Sequence, residues 1–249
     1  MNERYQRNRI FLNDDHQRKI KSFKIVLCGC GIGSVIAECA LRLGFENFIL
    51  IDGDIVEKSN LNRQNYNEND LKKYKVDALK RRLLSINNNA VIKTHNCYLT
   101  EENLNDIFED DFKVVVNALD FSTAISLKFD EICIDKNLII IHPFNLGYAG
   151  LITIISPESK TLNSISDTYG DLNEIIIVDY FLNKLTKENS ATWLIEILEQ
   201  IKNEINEVSP PQLSIGCWMV SSMCTNLLLK IATNEKFKEF PEFYYNSVN

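Results

Sequence analysis

Histidines and closely paired cysteines, the usual parts of metal centres and catalytic triads, are scarce in this sequence. The 249-residue chain has three histidines, and none stands at the spacing of a metal site or a Ser-His-Asp triad. Seven cysteines are present, but none form a Cys-x-x-Cys pair. Cys28 and Cys30 are expected to pack beside a turn, and Cys217 and Cys224 to face the core from one apolar helix. The sequence therefore predicts no zinc site and offers no evident histidine-assisted nucleophile.

An excess of positive charge, a secretory leader and a membrane-length apolar run are also missing. The net charge of −7 argues against general nucleic-acid binding, and the basic strip at Lys72-Lys73 and Lys80-Arg81-Arg82 is expected to be a solvated helix face. No apolar run approaches the ~20 residues of a membrane span, and no hydrophobic leader is evident. The cysteines fit a reducing compartment. We expect a cytoplasmic protein with no membrane partner.

The most informative stretch begins with a short apolar strand that runs into a glycine loop. Lys24–Cys28 is a β-branched and aliphatic run of the kind that forms a strand buried on both faces. Gly29-Cys30-Gly31-Ile32-Gly33-Ser34 follows, and it is a variant of the dinucleotide fingerprint G-x-G-x-x-G/A. An apolar helix comes next and is stopped by Gly44. The order of strand, glycine loop and helix predicts a nucleotide phosphate site at the helix N-terminus.

Four residues of the loop, and an acid that follows it, have predicted roles in that site. Gly29 permits the tight turn, and Gly31 lets the backbone approach a phosphate. Gly33 and Ser34 are small enough for the helix to pack close to its strand. A second strand ends at Asp52, about 20 residues beyond the loop, where an acid holds a ribose hydroxyl. This pattern alone does not separate NAD from ATP.

Charged residues that follow the acid favour a triphosphate. Arg63, Lys75 and Asp120 are expected to meet at the carboxyl ends of parallel strands, with the two cations on phosphate oxygens and Asp120 on Mg²⁺. Three bland alternatives remain open: a solvated loop charge for Arg63, a helix-surface lysine at 75, and a helix N-cap at Asp120. The further candidate nucleotide-binding residues are Asp54, Asn60 and Gln64.

The motifs together resemble the ThiF/MoeB/HesA family, bacterial relatives of ubiquitin-activating enzymes. They are Gly-Cys-Gly-x-Gly-Ser, Ile-Asp-x-Asp-x-Val, Ser-Asn-Leu-Asn-Arg-Gln, Lys-Val-x-Ala-Leu and Asn-Ala-Leu-Asp. The resemblance covers residues 4–155 and resumes near 209–231. It implies Mg-ATP-dependent adenylation of the C-terminal carboxylate of a small ubiquitin-like or sulfur-carrier protein, or of a peptide, with release of pyrophosphate.

The resemblance also implies roles for individual residues. Arg7 would reach into the ATP site of a partner subunit, which makes the protein a homodimer. The roles within one chain are ribose binding by Asp52, phosphate contacts by Asn60, Arg63 and Lys75, and metal-assisted catalysis by Asp120.

Two departures from the family pattern set this chain apart. Residues 134–216 contain no cysteine, so the acyl group is expected not to pass onto the enzyme as a thioester. No arginine stands a few residues after Asp120, which leaves open how the substrate tail is gripped. The substrate could then be a peptide or another carboxylate.

The chain is expected to form a Rossmann-like, doubly wound α/β domain with a mostly parallel sheet, an antiparallel extension and a helical insertion. We assign residues 1–155 to an N-terminal arm and ATP-binding core, 156–212 to the insertion, and 213–249 to a C-terminal helix and aromatic tail. Two other functions remain open. One is an inactive nucleotide-binding scaffold subunit of a heterodimer, and the other is an NAD-dependent oxidoreductase resting on the glycine loop alone.

Overall fold

The architecture is that of a computed structural model, which describes residues 3–104, 108, 111–121, 124–166, 172–185, 191–204 and 210–249. Its strands are β1 (Lys24–Cys28), β2 (Asn47–Ile51), β3 (Val91–His95), β4 (Val114–Asn117), β5 (Ile139–Asn145), β6 (Ala149–Ile155) and β7 (Tyr244–Ser247). Its α-helices are α1 (Asp14–Ser22), α2 (Ile32–Leu43), α3 (Lys75–Ile86), α4 (Ile125–Asp135), α5 (Glu174–Leu185), α6 (Thr192–Glu204) and α7 (Ser214–Ala232). Short 3₁₀ helices occupy Glu3–Asn8, Lys58–Asn60, Glu68–Asp70 and Leu162–Ile165.

The strands form a seven-stranded sheet in the order β3-β2-β1-β4-β5-β6-β7. β1 to β5 pair in parallel, whereas β6 and β7 extend the sheet in antiparallel fashion. The predicted Rossmann-like fold class is therefore confirmed. The strand order reverses between β1 and β4, and open α/β sheets bind ligands outside the carboxyl ends of the strands at such a point.

Helices cover both faces of the sheet because successive strand residues point to opposite sides. Ile25 and Leu27 of β1 join the core under α2, α3 and α7. Val26 and Cys28 join the other core, under α4, α5 and α6. The near-continuous apolar runs of the parallel strands follow from burial on both faces.

The region that follows β6 contains two helices, as its apolar spacing predicts. α5 and α6 lie on the same sheet face as α4, and Phe181 of α5 packs 6.3 Å from Phe144 of β5. Residues 167–171, 186–190 and 205–209, which the sequence assigns to the same insertion, lie outside the described residues.

Helix α7 corrects one expectation drawn from the sequence. It is long and apolar enough to cross a membrane, by length and composition alone, so an apolar segment of near-spanning length is present. Half of this stretch is buried within the fold, where α7 packs along α2 and β6. Gly150 of β6 makes this packing close, since a Cβ there would lie 2.7 Å from Val220 Cγ2. A core helix has these properties.

We predict that Gly29→Ala destabilises the protein and that Gly33→Ala does not. Gly29 has a φ of +92°, and a Cβ there would lie 2.3 Å from Ala118 O. A strained backbone of this kind costs about 1–3 kcal/mol before the clash is counted. At Gly33 a Cβ would lie 3.9 Å from Leu27 Cδ2, in ordinary contact, and alanine favours the helix by up to about 1 kcal/mol. Urea unfolding of the two variants measures the difference in their free energies of unfolding. Equal losses of stability would contradict the view that only Gly29 must be glycine.

Candidate functional site

The glycine loop turns at the point where three parallel strands end side by side. Gly29 N donates to Ile51 O of β2 at 2.9 Å, and Ala118 N donates to Cys28 O at 2.8 Å. With its positive φ and no side chain, Gly29 fits against the Ala118 carbonyl. The loop therefore lies in the crevice between β1 and β4, directly beneath the N-terminus of α2.

Gly31 faces a buried glutamine from the Asn-Leu-Asn-Arg-Gln run. A Cβ at Gly31 would lie 3.2 Å from Gln64 Nε2. Gln64 is 9% exposed, and its Oε1 has no hydrogen-bond partner among the residues that the structure describes. A buried amide oxygen without a partner carries a free-energy penalty that a ligand donor would relieve.

Gly33 differs from its predicted role, and Ser34 has a further role besides the predicted one. Close packing does not require glycine at position 33, because a Cβ there would only touch Leu27 at 3.9 Å. Ser34 acts through its hydroxyl as well as its small size. It donates to Gly31 O at 2.6 Å and accepts from Asn65 N at 3.0 Å, and so ties the glycine loop to the following run.

Asp52 fixes the glycine loop from the end of β2. Its Oδ2 accepts from Cys30 N at 2.6 Å, and its Oδ1 accepts from Asp54 N at 2.8 Å. Burial raises the pKa of Asp52 above its usual value, although Lys75 and these two backbone donors act in the opposite direction. The carboxylate thus lies beside the loop, at the position predicted for the ribose acid.

Lys75 is held inside the site by Asp54. Its ammonium lies 2.7 Å from Asp54 Oδ2, and it is 7% exposed, so the helix-surface alternative is wrong. Tyr98 donates to Asp54 Oδ1 at 2.8 Å, a contact that no sequence motif indicated. Burial would raise the pKa of Asp54, but the bonds from Lys75 and Tyr98 outweigh it and the pKa is lowered. An ammonium has three donors, and the bond to Asp54 uses one of them.

Arg63 is ordered by hydrogen bonds and is not a freely solvated loop charge. Its Nε donates to Gln212 Oε1 at 2.6 Å, and its Nη1 donates to Ser59 O and Asn62 Oδ1. Asn60 is buried in the same turn, where its Oδ1 accepts from Glu57 N at 2.9 Å and caps a 3₁₀ helix. Gln212 comes from the distant segment before α7, which no local pattern connects with Arg63.

A buried glutamate in α2 joins this helix to α3 and to the segment that follows Gln64. Glu38 accepts from Arg42, Arg82 and the side chain of Asn65. Burial would raise the pKa of Glu38, but its bonds with Arg82 and Arg42 dominate and lower it. The available signal was a single acid within the apolar run Val35–Leu41, and the sequence reasoning missed it.

Asp120 lies exposed after β4, and a second carboxyl group lies near it. The N-cap of α4 is Ala124, so the helix-cap alternative for Asp120 is wrong. Burial, and then the charge of Asp120, raise the pKa of Glu174 at the start of α5 to about 7. Beneath this loop, Asn117 donates to Asp130 at 2.8 Å, and Asp130 lies 2.9 Å from the buried His142.

Arg7 lies at the other end of the parallel strands from the glycine loop. It is exposed in the first 3₁₀ helix, whose Tyr5 donates to Glu46 at 3.1 Å and whose Asn8 donates to Leu43 O at 2.8 Å. Glu46 and Leu43 lie at the N-terminal end of β2, whereas Asp52 lies at its C-terminal end.

The cysteines lie as the sequence predicts, with Cys28, Cys30, Cys217 and Cys224 all buried. Across the described parts of the chain, no group of three or more His, Cys, Asp or Glu residues is placed to hold a metal ion.

The sequence profile of the ThiF family matches residues 5–248. The chain belongs to the ThiF family. It is 31% identical over 165 residues to the sulfur carrier protein ThiS adenylyltransferase of Bacillus subtilis, covering 64% of this chain and 48% of that protein. It is 30% identical over 163 residues to the molybdopterin-synthase adenylyltransferase of Haemophilus influenzae, covering 65% of this chain and 64% of the relative. The resemblance expected from the motifs is confirmed, and this chain spans less than two thirds of either relative's length.

Solved structures show the same fold over nearly the whole chain. E. coli MccB with MccA-N7isoASN superposes with a TM-score of 0.72 at 20% identity, covering 100% of this chain and 72% of MccB. PaaA superposes with a TM-score of 0.67 at 20% identity, covering 94% of this chain and 63% of PaaA. At these identities the likeness establishes the Rossmann-like fold of this ThiF-family chain.

We predict that Glu38→Gln destabilises the protein at neutral pH and that the loss shrinks in acid. The arginine side chains are 60% and 35% exposed, which reduces the loss to about 1–2 kcal/mol. Because the folded pKa of Glu38 is lowered, its contribution is complete above the ordinary value of 4.5 and disappears as the pH falls through the folded pKa.

Chemical denaturation from neutral pH to below pH 4.5 measures the gap in free energy of unfolding between wild type and variant. Glu196→Gln, at an exposed position of α6, is the matched control and should change little. A gap that stays constant with pH would contradict the charge-based account of Glu38.

Proposed function

We propose that this chain catalyses Mg-ATP-dependent adenylation of a C-terminal carboxylate, on a small ubiquitin-like or sulfur-carrier protein or a peptide. The observation that carries the proposal is the set of contacts at the strand-order reversal, where Asp52 and Lys75 adjoin the glycine loop and Gln64, the neighbour of Arg63, faces Gly31. Asp120 stands two residues after Ala118, whose carbonyl faces Gly29. Names of relatives support it, since the similar proteins of B. subtilis and H. influenzae are both called adenylyltransferases.

The proposed reaction joins two anions, and the side chains of the site suit that task. A carboxylate oxygen attacks the α-phosphorus, the bond to the β-phosphate oxygen breaks, and pyrophosphate leaves with the electron pair. Lys75 and Arg63 offset the phosphate charge, and Asp120 holds Mg²⁺. Orientation and charge neutralisation suffice, so no side-chain nucleophile is needed.

The remaining predicted residues bind the nucleotide in this proposal. Asp52 holds the ribose, and the loop from Gly29 to Ser34 lies along the phosphates at the α2 N-terminus. Gln64 Oε1, which has no partner in the described parts of the chain, is an acceptor that fits a ligand donor. Asp54 keeps Lys75 in place, and Asn60 shapes the turn that carries Arg63.

We further propose that the acyl group does not pass onto an enzyme cysteine. Cys217 of α7 lies within electrostatic reach of Arg63, and burial raises its pKa to about 12 against the lowering effect of Arg63. A thiol of this kind is a poor nucleophile at neutral pH. The free cysteines of the chain also fit a cytoplasmic location, which is part of the proposal.

We predict that Mg-ATP stabilises the wild type against heat and that Arg63→Ala and Asp120→Ala lose this effect. A ligand at about 100 times its dissociation constant adds roughly 2.7 kcal/mol of stability. The matched controls are Arg18→Ala in α1 and Asp135→Ala at the end of α4, both exposed, and they should keep the shift. Thermal unfolding with Mg-ATP, NAD⁺ or NADH measures it.

Pyrophosphate exchange in the presence of carrier-protein C-termini then tests the chemistry. Exchange without any thiol-cleavable adduct on the enzyme is expected. Nucleotide binding without exchange would favour an inactive scaffold subunit, and stabilisation by NADH alone would favour an oxidoreductase.

We predict that the active unit is a homodimer in which Arg7 completes the neighbour's site. Arg7 is exposed at the N-terminal end of the parallel strands, whereas the glycine loop lies at their C-terminal end. Within one chain it is therefore poorly placed for ATP. Arg7→Ala and Arg63→Ala subunits should each be weakly active alone, and mixing them should restore part of the exchange rate. Mixing two preparations of Arg7→Ala is the control, and an absence of rescue in the mixed sample would indicate sites built within one chain.

A further inference from the structure

Hydrogen bonds hold the guanidinium of Arg63 through two of its three nitrogen atoms. Nε donates to Gln212 Oε1 at 2.6 Å, while Nη1 donates to Ser59 O at 3.1 Å and to Asn62 Oδ1 at 2.8 Å. Nη2 donates to no group in the parts of the chain that the structure describes. Three of five donors are therefore used in holding the group, and the two N–H groups of Nη2 stay available to an oxyanion.

The acceptor that holds Nε is itself fixed in place. Gln212 O accepts from Asn62 Nδ2 at 3.2 Å, and Leu213 O accepts from Asn145 Nδ2 at 2.9 Å. Pro210 and Pro211 precede Gln212 and restrict its backbone. The segment is thus tied to the Arg63 turn and to the end of β5 immediately before α7 begins.

A neutral acceptor has a different effect from a carboxylate at this position. An arginine side chain carries about 2 kcal/mol of rotamer entropy, part of which is lost whenever it is fixed on a phosphate. Gln212 fixes it beforehand without neutralising its charge. By contrast, Asp54 pairs with Lys75 as an ion pair, so the two cations of the site are held by different means.

We propose that Gln212 is a positioning residue that preorganises Arg63 for a nucleotide triphosphate. This inference rests on the proposed function, in which Arg63 binds phosphate oxygens. It links the chain that returns from the insertion to nucleotide affinity, because movement of residues 210–213 would remove the acceptor of Nε.

The test measures Mg-ATP affinity by calorimetry in the full chain. Gln212→Ala should raise the dissociation constant about 5- to 10-fold, because part of the rotamer entropy of Arg63 is then lost on binding. Gln212→Glu should raise it further, because its carboxylate pairs with Arg63 and competes with the phosphates. Gln200→Ala, an exposed glutamine of α6, is the matched control and should bind as the wild type does.

Combination with Arg63→Lys shows whether Gln212 acts through Arg63. Lysine keeps the charge but lacks the Nε–H group, so adding Gln212→Ala to Arg63→Lys should change affinity less than 2-fold. An equal effect of Gln212→Ala in both backgrounds would overturn the inference, as would a Gln212→Glu variant that binds like the wild type. A wild type that binds no Mg-ATP would overturn the proposed function and this inference together, whereas normal binding by both Gln212 variants would overturn the inference alone.

Discussion

The close approach of Gly29 to the Ala118 carbonyl is the constraint on which the site depends. It occurs where β1 and β4 separate and where the strand order reverses, and a Cβ would fall 2.3 Å from that oxygen. The turn frees Cys30 N to donate to Asp52 and starts α2 beside the same crevice. Since β4 leads within three residues to Asp120, one backbone contact relates the phosphate loop to the predicted metal ligand.

The positive charges around the glycine loop are held by different kinds of partner. Glu38 takes up Arg42 and Arg82 below the loop, so these cations stabilise the fold and are partly neutralised. Lys75 is paired with a half-exposed Asp54, whereas the partners of Arg63 are neutral. Arg63 therefore keeps a charge that no bonded carboxylate offsets, which suits the phosphate-binding role proposed for it.

Local patterns predicted the fold and the loop well, and they failed where contacts join distant parts of the chain. β1, β2 and the acid Asp52 follow from apolar runs and motif spacing that span a few turns of chain. Gln212 is 149 residues from Arg63, and no periodicity reports such a pairing. Tyr98 is 44 residues from Asp54 and was missed for the same reason. Gly33 was overinterpreted because its fingerprint position does not reveal how far the neighbouring side chains lie.

Two residues of the insertion interact with predicted catalytic residues, although the motif resemblance leaves most of the insertion out. Glu174 begins α5 within electrostatic reach of Asp120, and Gln212 precedes α7 at Arg63. Burial and the charge of Asp120 together raise the pKa of Glu174 to about 7. Through Glu174, the helical insertion therefore interacts electrostatically with Asp120, in addition to covering one face of the sheet.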